Sequence, residues 1–72
     1  MERRPVESSQ IRSIGYDEAT ETLEVEFNGG AVWQYYHFPL QMWLEFESAP
    51  SYGKYFASRI RPRFTQVGVR VK

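Results

Sequence analysis

The stretch Thr22-Leu23-Glu24-Val25-Glu26-Phe27-Asn28-Gly29-Gly30-Ala31-Val32-Trp33-Gln34-Tyr35-Tyr36-His37 decides the fold. Its first six residues alternate, with Leu23, Val25 and Phe27 apolar and Thr22, Glu24 and Glu26 polar. That period of two is the signature of a half-buried β-strand. Asn28-Gly29-Gly30 tolerates positive φ and predicts a hairpin. Ala31 to His37 is rich in β-favouring aromatics and predicts the returning strand. Trp33 and Tyr35 stand two apart on it and share one face. Which face they share depends on the loop. If Asn28, Gly29 and Gly30 are all loop, with Gly30 left-handed, Val25 pairs with Trp33 and Leu23 with Tyr35. If only Asn28-Gly29 is loop, Trp33 and Tyr35 lie beside Glu24 and Glu26. Register follows the apolar pattern. Ala31, Trp33 and Tyr35 are a more apolar set than Val32, Gln34 and Tyr36, so the first register is expected and both aromatics belong mainly to the core. In the other register they form a stacking platform, worth about 1–3 kcal/mol per stacked base, though beside two glutamates that repel phosphate.

Working outward, residues 1–8 are polar and read as frayed. A strand is expected over about 9–16, followed by a turn through Asp17-Glu18-Ala19-Thr20. The Ile11/Ile14 spacing breaks the alternation and points to a bulge or to burial on two sides. C-terminal to the hairpin, Pro39 opens a helix over about 39–49, and Pro50 stops it. Met42, Phe46 and Ala49 make one stripe, with Trp43 beside it. Ser51 caps a second helix over about 52–61. Its Tyr52, Phe56 and Ile60 repeat every four residues, and Pro62 ends it. Val67, Val69 and Val71 alternate, as either an extra strand within 65–71 or a loose tail. The expected fold is therefore α+β: a three-stranded antiparallel meander (about 9–16, 22–27, 31–37) with two short helices on one face. Residues 1–72 read as one domain with an ordered core over about 6–64.

Composition bounds the function. Seventy-two residues is a small domain, which buries only about 60% of its unfolded surface and leaves little room for a dry catalytic pocket. There are no cysteines, so thiolate chemistry, a disulfide framework and a Cys-based zinc site are excluded. No signal or transit peptide and no membrane-length apolar run is visible, so the expected location is the cytoplasm. Hydrophobic residues make up 42% and aromatics 17% of the chain, an aromatic excess that needs an explanation. Nine basic and nine acidic residues cancel, but they are segregated. Ser13 to Gly53 holds seven acidic residues and no lysine or arginine; Lys54 to Lys72 holds six basic residues and no acid. In one reading the basic segment packs near Glu24, Glu26, Glu45 or Glu47, each surface pair contributing about 0–1 kcal/mol. In the other, Lys54, Arg59, Arg61 and Arg63 form a phosphate-binding patch, for which arginine forks are suited.

Nothing supplies a nucleophile with its base. His37 is the sole histidine and has no second ligand for a metal. Glu45 and Glu47 are two apart on a helix and do not face each other. Glu24 and Glu26 share a face, about 7 Å apart, on a strand surface without a pocket to shift a pKa. Tyr52, Tyr55 and Phe56 read as core, and Gly53 as a cap or a backbone-clearance position. There is no phosphate loop, nucleophile elbow or dinucleotide fingerprint. The chain is not expected to be an enzyme or to carry a cofactor or metal.

Ser8-Ser9, Ile14-Gly15-Tyr16-Asp17, Leu23-x-Val25-x-Phe27, the Gly-rich turn, Trp33-x-Tyr35, Phe38-Pro39, Ala49-x-Ser51-x-Gly53-x-Tyr55-Phe56 and Ile60-Arg61 together resemble the KTSC domain over about residues 6–64. That family occurs as a stand-alone small bacterial protein and as a C-terminal appendage of some lysyl-tRNA synthetases. Its central motif is Tyr-x-Tyr. Here Trp33 stands first, which keeps a flat aromatic and drops the phenol hydroxyl. With no catalytic constellation in the residues, the expected function is a non-catalytic binding module of this type, its ligand RNA or another phosphate-bearing partner, RNA being suggested for the family by the synthetase context. The expected contacts are Lys54, Arg59, Arg61 and Arg63, with stacking by Trp33 or Tyr35. The alternative is a protein-interaction module or homodimer built on exposed aromatics, since Trp, Tyr and Arg anchor interfaces.

Overall fold

The computed structural model of the chain describes residues 1–64 and 68–72. It contains one five-stranded antiparallel meander in the order β1-β2-β3-β4-β5. The strands are β1 (Arg4–Pro5), β2 (Ile11–Asp17), β3 (Thr22–Phe27), β4 (Val32–Tyr35) and β5 (Gly68–Arg70). Helix α1 (Leu40–Glu47) follows β4. Then α2 (Tyr52–Tyr55), a π-helical stretch (Phe56–Ile60) and α3 (Arg61–Phe64) run on without a break. The α+β meander with helices is as the sequence predicts; the sheet gains β1, which the sequence does not predict, and β5, which matches the extra-strand reading of the tail.

The hairpin takes the three-residue loop. Gly30 has φ 96°, the Gly30 N–H donates to Phe27 O at 2.9 Å, and the Phe27 N–H donates to Ala31 O at 2.9 Å. Val25 therefore pairs with Trp33 and Leu23 with Tyr35. The β2–β3 register shifts between Ile11 and Ser13. This bulge turns both Ile11 and Ile14 inward, and each is buried. Leu23, Val25, Tyr35, Phe38, Met42, Phe46, Phe56, Ile60 and Phe64 complete the core between sheet and helices. Ser51 caps α2 as expected, its Oγ accepting from the Lys54 N–H at 3.3 Å.

Three expectations are corrected. The N-terminus is not frayed: Arg4 pairs with Ile14 and Pro5 with Ser13. Pro5 lacks a donor, which an edge strand tolerates. Gly15 permits this approach, because a Cβ there would stand 2.4 Å from the Glu2 carbonyl oxygen. Second, Pro62 does not end the helix, which continues to Phe64. In a regular α-helix residue 62 would donate to the Ser58 carbonyl, which proline cannot do and which its ring crowds. The wide π turn before it, closed by the Arg61 N–H on Phe56 O, takes up that misfit. Third, Pro39 is the N-cap of α1 rather than its first residue. Of the expected strand within 65–71, Gly68–Arg70 is formed, while 65–67, including Val67, lie outside the described residues.

The outer sheet face is polar but closed. Arg3 reaches across it, donating from Nε to Ser13 Oγ at 3.0 Å and from its guanidinium to Glu24. Gln34 Nε2 donates to the other Glu24 oxygen at 2.7 Å. Glu24 is therefore only 7% exposed, not the solvated carboxylate that strand alternation predicts.

Candidate aromatic and arginine pocket

Trp33 and Tyr35 come from β4, Phe27 from the end of β3, Phe56 from the π stretch and Arg61 from the start of α3. Together they line a cavity of about 390 Å³. Trp33 and Tyr35 lie nearly parallel, with centroids 6.5 Å apart and planes at 17°. Phe56 meets Tyr35 edge-on at 5.7 Å and Phe27 edge-on at 5.3 Å. Tyr35 is 7% and Phe56 3% exposed, while Trp33 and Phe27 are half-buried. The pocket thus has a closed apolar floor and a more open aromatic wall.

The π stretch places the cation. In a regular α-helix, residues five apart point about 140° away from each other. A π turn closes i to i+5 instead. Arg61 is accordingly carried above Phe56, its guanidinium carbon 5.5 Å from the ring centroid. Such a contact contributes about 0.5–2 kcal/mol and holds the guanidinium at the mouth. Burial pushes the Tyr35 hydroxyl above its ordinary pKa, opposed by the charge of Arg61.

The other side of Trp33 faces β5, where Arg70 is its direct cross-strand partner. Directly paired residues project on the same face, so a second arginine stands beside the Trp33 wall. Arg70 is exposed and its Nε donates to Lys72 O at 3.2 Å. Gly68 pairs with Tyr35 on the same strand, and a Cβ at Gly68 would stand 2.6 Å from Tyr35 Cε1. Only glycine lets β5 close over the tyrosine ring.

The sequence-predicted cations divide in space. Arg61 joins Trp33 and Tyr35. Arg59 and Arg63 are on another flank, against α1. There Arg63 Nη1 lies 3.8 Å from Met42 Sδ, and both arginines act on Tyr55. The Tyr55 pKa is pushed up to about 12 by burial, then by its 2.8 Å hydrogen bond to Glu45 Oε1 and the charge of that carboxylate, against the two arginines. Lys54 is exposed on α2. Glu24 and Glu26 pair with Arg3 of the N-terminal segment and Arg12 of β2. Phe27 and Phe56 in the pocket lining, and Arg70 beside Trp33, are residues that sequence reasoning did not single out as contacts. The paired register of the hairpin already implied Phe27, which leads directly into the loop.

No aromatic is among the exposed large apolar side chains of the described residues, which are Met1, Leu40, Leu44, Val69 and Val71. Apart from Tyr36, whose hydroxyl donates to Gln34 Oε1 at 2.9 Å, the aromatic excess goes into the core and the pocket. Among the described residues no three His, Asp or Glu gather as a metal site, and no helix is long and apolar enough to cross a membrane.

The KTSC domain profile matches residues 7–64. A protein of Tsukamurella paurometabola is 38% identical over 66 residues, covering 92% of this chain and 98% of that one. A lysine–tRNA ligase of Trichormus variabilis is 40% identical over 58 residues, covering 81% of this chain and 10% of the ligase. The crystal structure of a KTSC domain protein from Yersinia pestis superposes with a TM-score of 0.90 at 36% identity, covering 99% of this chain and 97% of that one.

Proposed function

Since the chain belongs to the KTSC domain family, we propose that it is a non-catalytic RNA-binding module whose contact site is the pocket of Trp33, Tyr35, Phe27, Phe56 and Arg61. One observation carries this reading: separate elements bring flat rings and an arginine to a single cavity. Rings offer stacking to any base, and an arginine fork matches phosphate. The outer face competes less, because there Arg3 and Arg12 are already committed to Glu24 and Glu26. The domain's occurrence as a tenth of a lysine–tRNA ligase supports RNA as the ligand class. Titration of labelled tRNA at two salt concentrations tests the reading. Binding that weakens with salt, and falls about tenfold (~1.4 kcal/mol) in Arg61→Ala, is expected. Absence of binding at low salt, or binding indifferent to salt, overturns it.

A second reading, a protein-interaction module, draws on Leu40 and Leu44, which are exposed on α1 and four residues apart. Sedimentation of the chain against Leu40→Ser/Leu44→Ser separates it from the first. Association lost in the double variant favours an interface, and a monomer at all concentrations removes the homodimer.

A further inference from the structure

Building on the RNA-binding reading, we infer that the pocket takes one unpaired nucleotide, its base against Trp33 and the phosphates on its two sides at Arg61 and Arg70, and so selects single-stranded over duplex RNA. The recess decides this. Tyr35 and Phe56, at 7% and 3% exposure, are reached only by a group that enters the cavity. Bases in a duplex present edges to a groove and keep their faces stacked, whereas an unpaired base offers its face. A cavity of about 390 Å³ is of small-molecule size; it admits a nucleotide and not a helix.

The cations agree with a single guest. Arg61 rises over Phe56 on one side. Arg70 stands across the strand pair from Trp33 on the other. Arg59 and Arg63 are turned toward α1 and do not extend this pair into a track. The site therefore neutralises about two phosphates, which for a single strand gives a salt slope near −1.4 in log K against log salt, about −0.7 for each phosphate. A patch using every C-terminal cation would give a much steeper slope. Arg70 is the added residue: it positions one of the two phosphates without touching the base.

The test uses the unaltered chain first. Fluorescence anisotropy is measured with a labelled single-stranded octamer and with the same octamer in a blunt duplex, over a range of salt. At least tenfold tighter binding of the single strand, with a slope near −1.4, is expected. Arg70→Ala is expected to weaken the single strand several-fold and to flatten that slope by about 0.7. In Trp43→Phe, Trp33 is the remaining tryptophan, and its emission is expected to be quenched by the octamer and, at higher concentration, by a mononucleotide. Equal affinity for duplex and single strand, or a slope beyond about −3, overturns the nucleotide pocket while leaving RNA binding intact. Loss of all binding, tRNA included, overturns both.

Discussion

Replacing Arg3 with methionine keeps much of the side chain and removes its charge. Glu24, 7% exposed, would keep only the Gln34 bond at 2.7 Å. Removing one partner of a fully buried ion pair costs about 3–5 kcal/mol. The Arg3 side chain is 27% exposed, so solvent screening reduces the expected loss to about 1.5–3 kcal/mol. In a domain this small each kcal/mol moves Tm by roughly 4–8 °C. The pH dependence is the sharper signature. Burial alone raises the Glu24 carboxyl, but the hydrogen bonds from Gln34 and Arg3, and the charges of Arg3 and the N-terminal ammonium, outweigh it and hold the pKa below its ordinary value. A carboxyl lowered in the folded state contributes stability above its unfolded pKa, and loses it as pH falls through the folded pKa. In Arg3→Met burial dominates and the carboxyl moves up. The variant's deficit is then largest at about pH 7 and shrinks toward about pH 4. Urea unfolding followed by tryptophan fluorescence across that range measures it. The double variant Arg3→Met/Glu24→Gln, with no charge left to strand, is expected to recover more than half the loss. A deficit below about 0.5 kcal/mol, or one equal at both pH values, refutes the buried-pair reasoning.

Gly68→Ala places a Cβ 2.6 Å from Tyr35 Cε1 and is expected to cost about 1–3 kcal/mol, with a red-shifted Trp33 emission as β5 lifts. Unfolding curves and spectra read both, and an alanine variant matching the parent contradicts the contact. Tyr55 is expected to ionise near its pKa of about 12. Glu45→Gln should bring that step down, because it removes the carboxylate, and tyrosinate absorbance against pH records the shift.

Much of the fold was legible, and the reason differs by element. Strand alternation from Leu23 to Phe27 and the left-handed capacity of Gly30 settled the hairpin register, and with it the inward direction of Trp33 and Tyr35. The broken Ile11/Ile14 spacing announced the β2 bulge. What stayed hidden depended on partners far along the chain. Strand β1 is two residues long and contains a proline, too short for any period. Glu24 follows the polar-out alternation and reads as solvated, and only Arg3, 21 residues away, closes over it. The arginines between 59 and 63 are neighbours in sequence, but a helix distributes them to different flanks. Arg61 reaches Phe56 at a spacing of five, which no α-helical pattern contains, because the π turn forms where Pro62 disturbs the ladder. The pocket was thus half visible: its aromatic wall followed from register, and its cation did not.

On the proposed function, RNA is held at this pocket and nowhere else on the sheet. Photocrosslinking of a single-stranded oligonucleotide carrying 4-thiouridine, with the attachment site located by mass spectrometry, tests it most directly. Crosslinks on the peptides bearing Phe27, Trp33 and Tyr35, lost when excess unlabelled single strand is added, are the predicted result. Crosslinks confined to the Arg59 and Arg63 flank or to the N-terminal segment over the outer face would contradict it.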